Sequence, residues 1–454
     1  MPPMPADAPS PRGGRRALPP EHADRSGSAA PPHASRSRSL AGYLVMPRPK
    51  DAVKGLLMPF VFLLAVVCGA EPTGRTVIRA LIVWAALELL LYPARYQWND
   101  IRGFAADQRH PSRRDRGRLP GPLARARAHV TASGAVAVGR LVLTAVLALA
   151  LPALHLGGVL TAAGVAVFGV AAVYEALRAR CTGRVAATAP SARPDAAALS
   201  SSVRPDVAAL WIVVGAGYAV RGMTGLALAV DVSRRPVLAV AAAGTLWAFG
   251  VAFVTSRWAL ESLAFATSDH GRLTWTARAD QAREHLLALV RWLPRGIIGG
   301  PPGDWTPLRL RTPPTAPWNV ALLAGGTSAA LTGSLLATAR ASVAHALLAV
   351  VLGALTTWAV VLFAHRRPTA VAAGATAHLL VSVLFAQPRP LAAVLPWLSL
   401  MASYLVFSSR CLHTIGAGPR LLRSLVVSGL VLLARTVLGR ATWDAVRKDP
   451  GDPR

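Results

Sequence analysis

The chain has 454 residues, of which 53% are hydrophobic and only 15% are charged, a composition too apolar for an ordinary soluble protein. Its 49 lysines and arginines outnumber its 21 acidic residues and give a formal net charge of +28 at pH 7. We expect no nucleic-acid partner, because the arginines lie in connections between apolar runs and no nucleic-acid recognition motif accompanies them.

The first 45 residues are rich in proline, alanine, serine and arginine and show no hydrophobic periodicity. This composition predicts that residues 1–45 form a disordered, basic tail. A contiguous apolar core followed by a cleavage site is missing there, so we expect no secretory signal.

Apolar runs long enough to cross a bilayer then alternate with polar connections. The first six runs cover about 55–71, 76–94, 132–153, 157–176, 207–230 and 236–255. Further spans are expected at 318–338, 343–364, 369–386 and 390–408, and a last run at 421–439 either crosses the membrane or lies flat on it. The sequence therefore predicts an all-α, polytopic transmembrane bundle of about ten spans.

The distribution of arginine predicts the orientation of these spans. The long connections 95–130, 178–206 and 256–316 carry many arginines, whereas the short turns between them carry few. By the positive-inside rule, the N-terminus and the long connections are cytoplasmic. We therefore expect a multi-pass protein of the inner (plasma) membrane.

The connection 266–317 is predicted to be a cytoplasmic loop, amphipathic at first and then rich in proline and glycine. Within it, 278–296 is expected to form a basic amphipathic helix at the membrane interface. Ala282, Leu286, Leu289 and Trp292 would share its apolar side. The C-terminal helices follow in 318–454, which we interpret as containing an insertion or extension.

The stretch from Trp98 to Pro120 lies between two apolar runs, yet it contains three aspartates among its arginines. On a helix, Asp100, Asp107, His110 and Arg114 would form one stripe, with Gly103 in the gap. Two such carboxylates can hold Mg²⁺ against a diphosphate, while the cationic residues neutralise the remaining phosphate charge. A solvated basic loop that only orients the protein in the membrane explains the same residues.

The order of these residues resembles a known motif. Asn99-Asp100-x-x-Gly103-x-x-x-Asp107 is similar to the first aspartate-rich motif, N-D-x-x-D-x-x-x-D, of the UbiA prenyltransferase superfamily. The continuation from Asp107 to Arg116 resembles the D-R-x-H-P-x-K-R-x-R segment of the decaprenyl-phosphate phosphoribosyltransferase branch. Gly103 replaces the middle aspartate of the motif.

Other blocks resemble that branch in the same order along the chain. Arg48-Pro49-Lys50 with Lys54 is similar to its entry motif, and the helix with Gly217, Arg221 and Gly225 to its D-x(n)-G-x-x-x-R-x-x-x-G helix. We therefore treat 46–265 as a UbiA-like transmembrane core that contains both cytoplasmic active-site motifs.

The second motif of the superfamily is only partly present. After the sixth predicted span, Arg257 and Glu261 are four residues apart and would share a helix face. They resemble a K-R-x-x-E pattern, with the glutamate one residue late. One carboxylate with an arginine fits phosphate binding better than a second Mg²⁺ cluster, and it also fits the decay of a catalytic site.

The charged residues within predicted spans, where charge is costly, include Glu88 and Arg221. The resemblance implies a catalytic role for Arg221. A structural ion pair with Glu88 is the alternative.

The resemblance implies a transferase that acts on polyprenyl phosphate or diphosphate lipids. Asp100 and Asp107 would bind Mg²⁺ and, with Arg221, form the catalytic group. The expected phosphate-binding residues are Lys54, Asn99, Arg109, His110, Arg113, Arg114, Arg116, Arg257 and Glu261.

The preferred reaction is phosphoribosyl transfer to a polyprenyl phosphate, assisted by Mg²⁺ as diphosphate departs. The alternative reaction moves a prenyl group from a prenyl diphosphate to an aromatic or other small acceptor. A third hypothesis is a non-catalytic lipid-binding or transport protein on a degenerate UbiA fold. Mg²⁺-dependent release of diphosphate would separate the enzymes from the third class.

Overall fold

The architecture was obtained as a computed structural model. It describes residues 52–108, 119, 123–181, 203–262, 266–269, 272–275, 283–293, 312–338, 342–385 and 387–409, together with a few positions between 428 and 439. The tail predicted for 1–45 and most of the run at 421–439 lie outside the described residues.

The described chain is a bundle of helices. In order they are α1 (Ala52–Gly55), α2 (Leu57–Val67), α3 (Gly74–Ala86), α4 (Tyr92–Gln108), α5 (Ala126–Ala150), α6 (Leu156–Arg180), α7 (Pro205–Ala229) and α8 (Pro236–Glu261). After a short hairpin come α9 (Glu284–Leu287), α10 (Pro317–Ala337), α11 (Val343–Leu362), α12 (Arg367–Leu384) and α13 (Pro390–Ser409). Single 3-10 turns at Leu123–Arg125, Pro152–Leu154, Val232–Arg234 and Ala364–Arg366 precede α5, α6, α8 and α12.

Local sequence explains several helix starts. Proline occupies the first turn of α7, α8, α10 and α12, where its missing N–H has no helical partner to lose. Thr73 caps α3 by accepting from the Thr76 backbone N–H at 3.2 Å, and Ser342 caps α11 through the His345 N–H at 3.3 Å.

Seven helices of the described chain are long and apolar enough to cross a membrane: Gly74–Ala105, Leu123–Ala150, Leu156–Arg180, Pro205–Ala229, Pro236–Glu261, Pro317–Ala337 and Val343–Leu362. Leu57–Val67 and Pro390–Val406 are shorter apolar helices. Every apolar run predicted before residue 410 coincides with a helix. The helical membrane bundle is confirmed, and the count of about ten spans stays a prediction.

The second predicted span is one continuous helical stretch with a π-helical turn inside it. Leu87–Leu91 form this turn between α3 and α4. A π-turn adds a residue to the helical repeat, and such turns occur often at functional sites. It contains Glu88, and the same continuous stretch carries Asp100 and Asp107 in α4.

Helix α8 packs between α7 and α10, and α10 in turn contacts α11 and α13. Arg235, at the start of α8, donates to the carbonyls of Leu335 and Thr338 at the end of α10. The start of α8 therefore lies beside the end of α10, so these two neighbours run antiparallel.

Close contact between helices depends on glycine, as two examples show. A Cβ on Gly225 of α7 would lie 2.3 Å from the carbonyl oxygen of Met58 in α2. A Cβ on Gly333 of α10 would lie 2.0 Å from the carbonyl oxygen of Ala393 in α13. Backbone atoms cannot move aside as flexible side chains do, so both contacts require the absence of a side chain.

The connection after α8 differs from its prediction. Two short strands, β1 (Ala266–Asp269) and β2 (Arg272–Trp275), pair antiparallel with Ala266 opposite Trp275. Of the helix expected over 278–296, the described part is helical, formed by α9 and a 3-10 turn, Ala288–Trp292, whereas 278–282 and 294–296 lie outside the described residues. Leu293 leaves this turn in an extended conformation, as the residue before a proline prefers.

Candidate functional site

The two predicted metal-binding aspartates lie on one face of α4. Asp100 and Asp107 are seven residues apart, which places both on the same side of a helix, and Gly103 lies on that side between them. Asp100 is 1% exposed and Asp107 is 5% exposed. The solvated-loop interpretation is therefore wrong for this part of the stretch, because both carboxylates are enclosed by the fold.

An arginine from a distant segment reaches the second aspartate. Arg283 Nη2 lies 3.4 Å from Asp107 Oδ1, and the side chains are 12% and 5% exposed. A carboxylate removed from water needs such a compensating charge. The sequence did not indicate Arg283 as a site residue, because nothing in the local pattern links it to a helix that ends 175 residues earlier.

A second arginine arrives from the end of α6. Arg178 Nη1 donates to Asn99 Oδ1 at 3.1 Å, and its Nη2 lies 2.7 Å from Glu175 Oε2. Arg102 of α4 lies 3.9 Å from the same glutamate oxygen. Asn99 was a predicted phosphate-binding residue, whereas Arg178 and Glu175 were not identified from the sequence.

Residues 283–293, which we call the clasp, are fastened across this end of the bundle. The Glu284 N–H donates to the Cys181 carbonyl at 3.0 Å, and Glu284 Oε2 lies 3.3 Å from Arg204 Nη1 at the start of α7. Trp211 Nε1 donates to the His285 carbonyl at 2.9 Å. The clasp therefore connects the end of α6, the start of α7 and the face of α4 that carries Asp100 and Asp107, which we call the acidic face.

Apolar side chains of the clasp point into the bundle. Leu286 and Leu289, predicted to share an apolar side, are buried in one core cluster with Trp258 of α8. Each such leucine contributes on the order of 2 kcal/mol by burial. The clasp is held by this packing as well as by hydrogen bonds.

His285 is enclosed by this packing. Its ring makes an edge contact with Trp258 at 4.9 Å between centroids. Burial lowers the pKa of His285 to about 3, and the positive charges of Arg283 and Arg178 add to this effect. The imidazole is therefore neutral at pH 7.

Arg221 lies in a different environment. Its Nε is 2.8 Å from Glu88 Oε1, and its guanidinium carbon lies 3.2 Å from the centre of the Tyr92 ring. Tyr96 is a further neighbour, with its hydroxyl 3.4 Å from Arg221 Nη2. This is the ion pair that the sequence offered as the alternative to a catalytic role.

The remaining predicted phosphate-binding residues divide into two groups. Lys54, Arg257 and Glu261 are half-buried, Lys54 on α1 and the other two at the end of α8. Gly55, next to Lys54, packs against the Glu88 carboxylate. Arg109, His110, Arg113, Arg114 and Arg116 lie outside the described residues.

The acidic face fits Mg²⁺ only as part of a larger ligand set. Asp100 and Asp107 are seven residues apart, a distance of about 10 Å along the helix axis, whereas a Mg²⁺–oxygen bond is about 2.1 Å long. The two carboxylates alone therefore do not surround a Mg²⁺ ion. In the described chain, no three His, Cys, Asp or Glu side chains are grouped to hold a metal ion. Two aspartates nevertheless suit Mg²⁺ when water and substrate phosphates supply the other ligands.

No protein-family model, curated protein or solved structure matches this chain.

Proposed function

We propose that this chain is a UbiA-type integral membrane transferase in which Asp100 and Asp107 bind Mg²⁺ and arginines bind the phosphates of a diphosphate donor. The observation that carries the proposal is the burial of two carboxylates on one face of α4. Buried carboxylates beside arginines from two other segments form a charge arrangement suited to a metal-bound phosphate.

The preferred reaction is phosphoribosyl transfer. A phosphate oxygen of a polyprenyl phosphate would attack the anomeric carbon of a phosphoribosyl diphosphate, while the bond from that carbon to the diphosphate breaks. Bound Mg²⁺ would neutralise charge on the departing diphosphate. The same leaving group serves the transfer of a prenyl group to a small acceptor.

The protein residues have separable tasks in this proposal. Asp100 and Asp107, on one side of α4, would hold the metal. Arg283 and Arg178, at the ends of two other segments, are placed to donate hydrogen bonds to phosphate oxygens. The side chains of Arg283 and Asp107 are largely removed from water, which would strengthen interactions with a bound phosphate.

In this proposal Arg221 stabilises the fold and does not contact the substrate. It contacts Glu88, which lies in the π-helical turn, and Tyr92, which directly follows it, about two to three helical turns before Asp100. These contacts favour the structural ion pair over direct contact with the reacting atoms.

The proposal is tested with purified protein in detergent and Mg²⁺. One reaction contains phosphoribosyl diphosphate and a polyprenyl phosphate, and another contains a prenyl diphosphate and an aromatic acceptor. We expect diphosphate release and a new phosphoribosyl lipid in the first reaction, and neither with Asp107→Asn. Product in the second reaction alone would select prenyl transfer. Folded protein that releases diphosphate in neither reaction would favour the non-catalytic hypothesis.

A further inference from the structure

Arg283 is the part of the clasp that touches the acidic face. Its guanidinium lies 3.4 Å from Asp107, and both side chains are largely removed from solvent. An arginine in this position neutralises a carboxylate that Mg²⁺ would also need. The two cations therefore compete for Asp107.

The backbone on either side of Arg283 is held independently of this ion pair. The next residue, Glu284, donates its N–H to the Cys181 carbonyl, and the His285 carbonyl accepts from Trp211. The leucines that follow are buried in the core. The Arg283 side chain can therefore rotate away from Asp107 while these neighbouring contacts stay in place.

From this arrangement we infer that Arg283 is an electrostatic latch that makes metal and diphosphate binding interdependent. The inference rests on the proposed function. Without a phosphate ligand, Arg283 pairs with Asp107 and opposes entry of a divalent cation. With a diphosphate, Arg283 transfers its hydrogen bonds to phosphate oxygens, and Asp107 becomes a metal ligand.

The direction of this coupling follows from charge. A dication at Asp107 beside the guanidinium adds like-charge repulsion, so metal alone binds weakly. A bound diphosphate would supply negative charge both to a metal held by Asp107 and to the Arg283 guanidinium, so that the repulsion would be replaced by two attractive contacts. Because coupling is reciprocal, each ligand strengthens the binding of the other. The latch thereby favours a metal–diphosphate complex over either component alone.

The latch predicts opposite changes for one substitution. In Arg283→Gln, Mn²⁺ alone should bind about tenfold more tightly, because a cation that competes for Asp107 is gone. Labelled diphosphate at saturating Mg²⁺ should bind about tenfold more weakly, because a phosphate contact is lost. A residue that only stabilised the fold would weaken both.

The experiment measures both affinities on purified protein, with Mn²⁺ followed by electron paramagnetic resonance. Arg291→Gln is the matched control: it makes the same charge change within the clasp, on an exposed residue whose side chain donates to the Ala288 carbonyl. We expect wild-type affinities for it. Arg283→Lys keeps the competing charge and should resemble wild type in Mn²⁺ affinity. Melting temperatures identify variants that fail to fold.

The possible results test the latch and the proposed metal-dependent function separately. If Asp107→Asn abolishes Mn²⁺ binding but Arg283→Gln leaves both affinities unchanged, or moves both in one direction, the latch is wrong and the metal site stands. If Mn²⁺ binds equally well to wild type and Asp107→Asn, the metal site and the proposed function fail, and the latch fails with them.

Discussion

Arg221 and Glu88 form an ion pair, largely removed from water, between α7 and the π-helical turn, with 2.8 Å between Nε and Oε1. Arg221 is 3% exposed, and the Tyr92 ring covers its guanidinium. Removing one partner leaves the other charge buried without its counter-ion. We expect Arg221→Leu and Glu88→Leu each to lower the free energy of unfolding by about 3–5 kcal/mol.

The double variant Arg221→Leu/Glu88→Leu distinguishes an ion pair from two unrelated contacts. Replacing both charges by apolar side chains removes the cost of leaving one unpaired, so stability should largely return. Thermal unfolding in detergent measures this for the four proteins. Additive losses in the double variant would show that the two residues do not act as a pair.

Gly225 and Gly217 provide a matched test of helix packing in α7. Gly225→Ala should destabilise the protein strongly or prevent its accumulation, because the new Cβ would meet the Met58 carbonyl at 2.3 Å. Gly217→Ala should be tolerated or slightly stabilising, because no atom lies within 4 Å of the position that its new Cβ would take. Size-exclusion profiles of the two variants give the comparison, and equal behaviour would contradict the packing of α2 on α7.

His285 predicts a pH dependence of stability. Its pKa in the folded protein is about 3, below the value of about 6.5 expected in the unfolded chain. Between these values only the unfolded state binds the extra proton. The free energy of unfolding is therefore unaffected by His285 above about pH 6.5 and falls as the pH drops below it. We expect the melting temperature of wild type to fall more between pH 7 and pH 5 than that of His285→Phe. Parallel curves for the two proteins would contradict the burial of a neutral imidazole.

The positive-inside prediction is tested by chemical labelling. In a cysteine-free background, a single cysteine placed between residues 182 and 202 should react with a membrane-impermeant thiol reagent only after the cells are opened. A cysteine at Thr73, in the turn before α3, should react in intact cells. The reverse pattern would invert the bundle and place the acidic face on the outer side.

The bundle was predictable because apolar runs of span length determine where helices form in a membrane protein. Their positions within predicted membrane spans also identified Glu88 and Arg221 as candidates for an ion pair, since an isolated charge is costly inside the membrane. The spacing of Asp100 and Asp107 predicted that they share one face, because helical periodicity requires it.

Sequence patterns could not predict which side chains of distant segments would come into contact. Arg283 reaches Asp107 only because the clasp is tied to Cys181 and Trp211, and periodicity within one helix contains no information about such ties. In the described part of the helix expected over 278–296, α9 gives way to a 3-10 turn, and Leu293 is extended because proline follows it. The hairpin of β1 and β2 was too short to be signalled by alternation.

The central claim is that Asp100 and Asp107 act together on Mg²⁺, and diphosphate release measured against Mg²⁺ concentration tests it most directly. The proteins to compare are wild type, Asp100→Asn, Asp107→Asn, their double variant and Gly103→Asp, each with its melting temperature. We expect each asparagine variant to lose activity, with losses that do not add in the double variant. Gly103→Asp, which restores a carboxylate between the two, should lower the Mg²⁺ concentration for half-maximal activity. Asparagine variants that match wild type at every Mg²⁺ concentration would contradict the metal site and the transferase proposed on it.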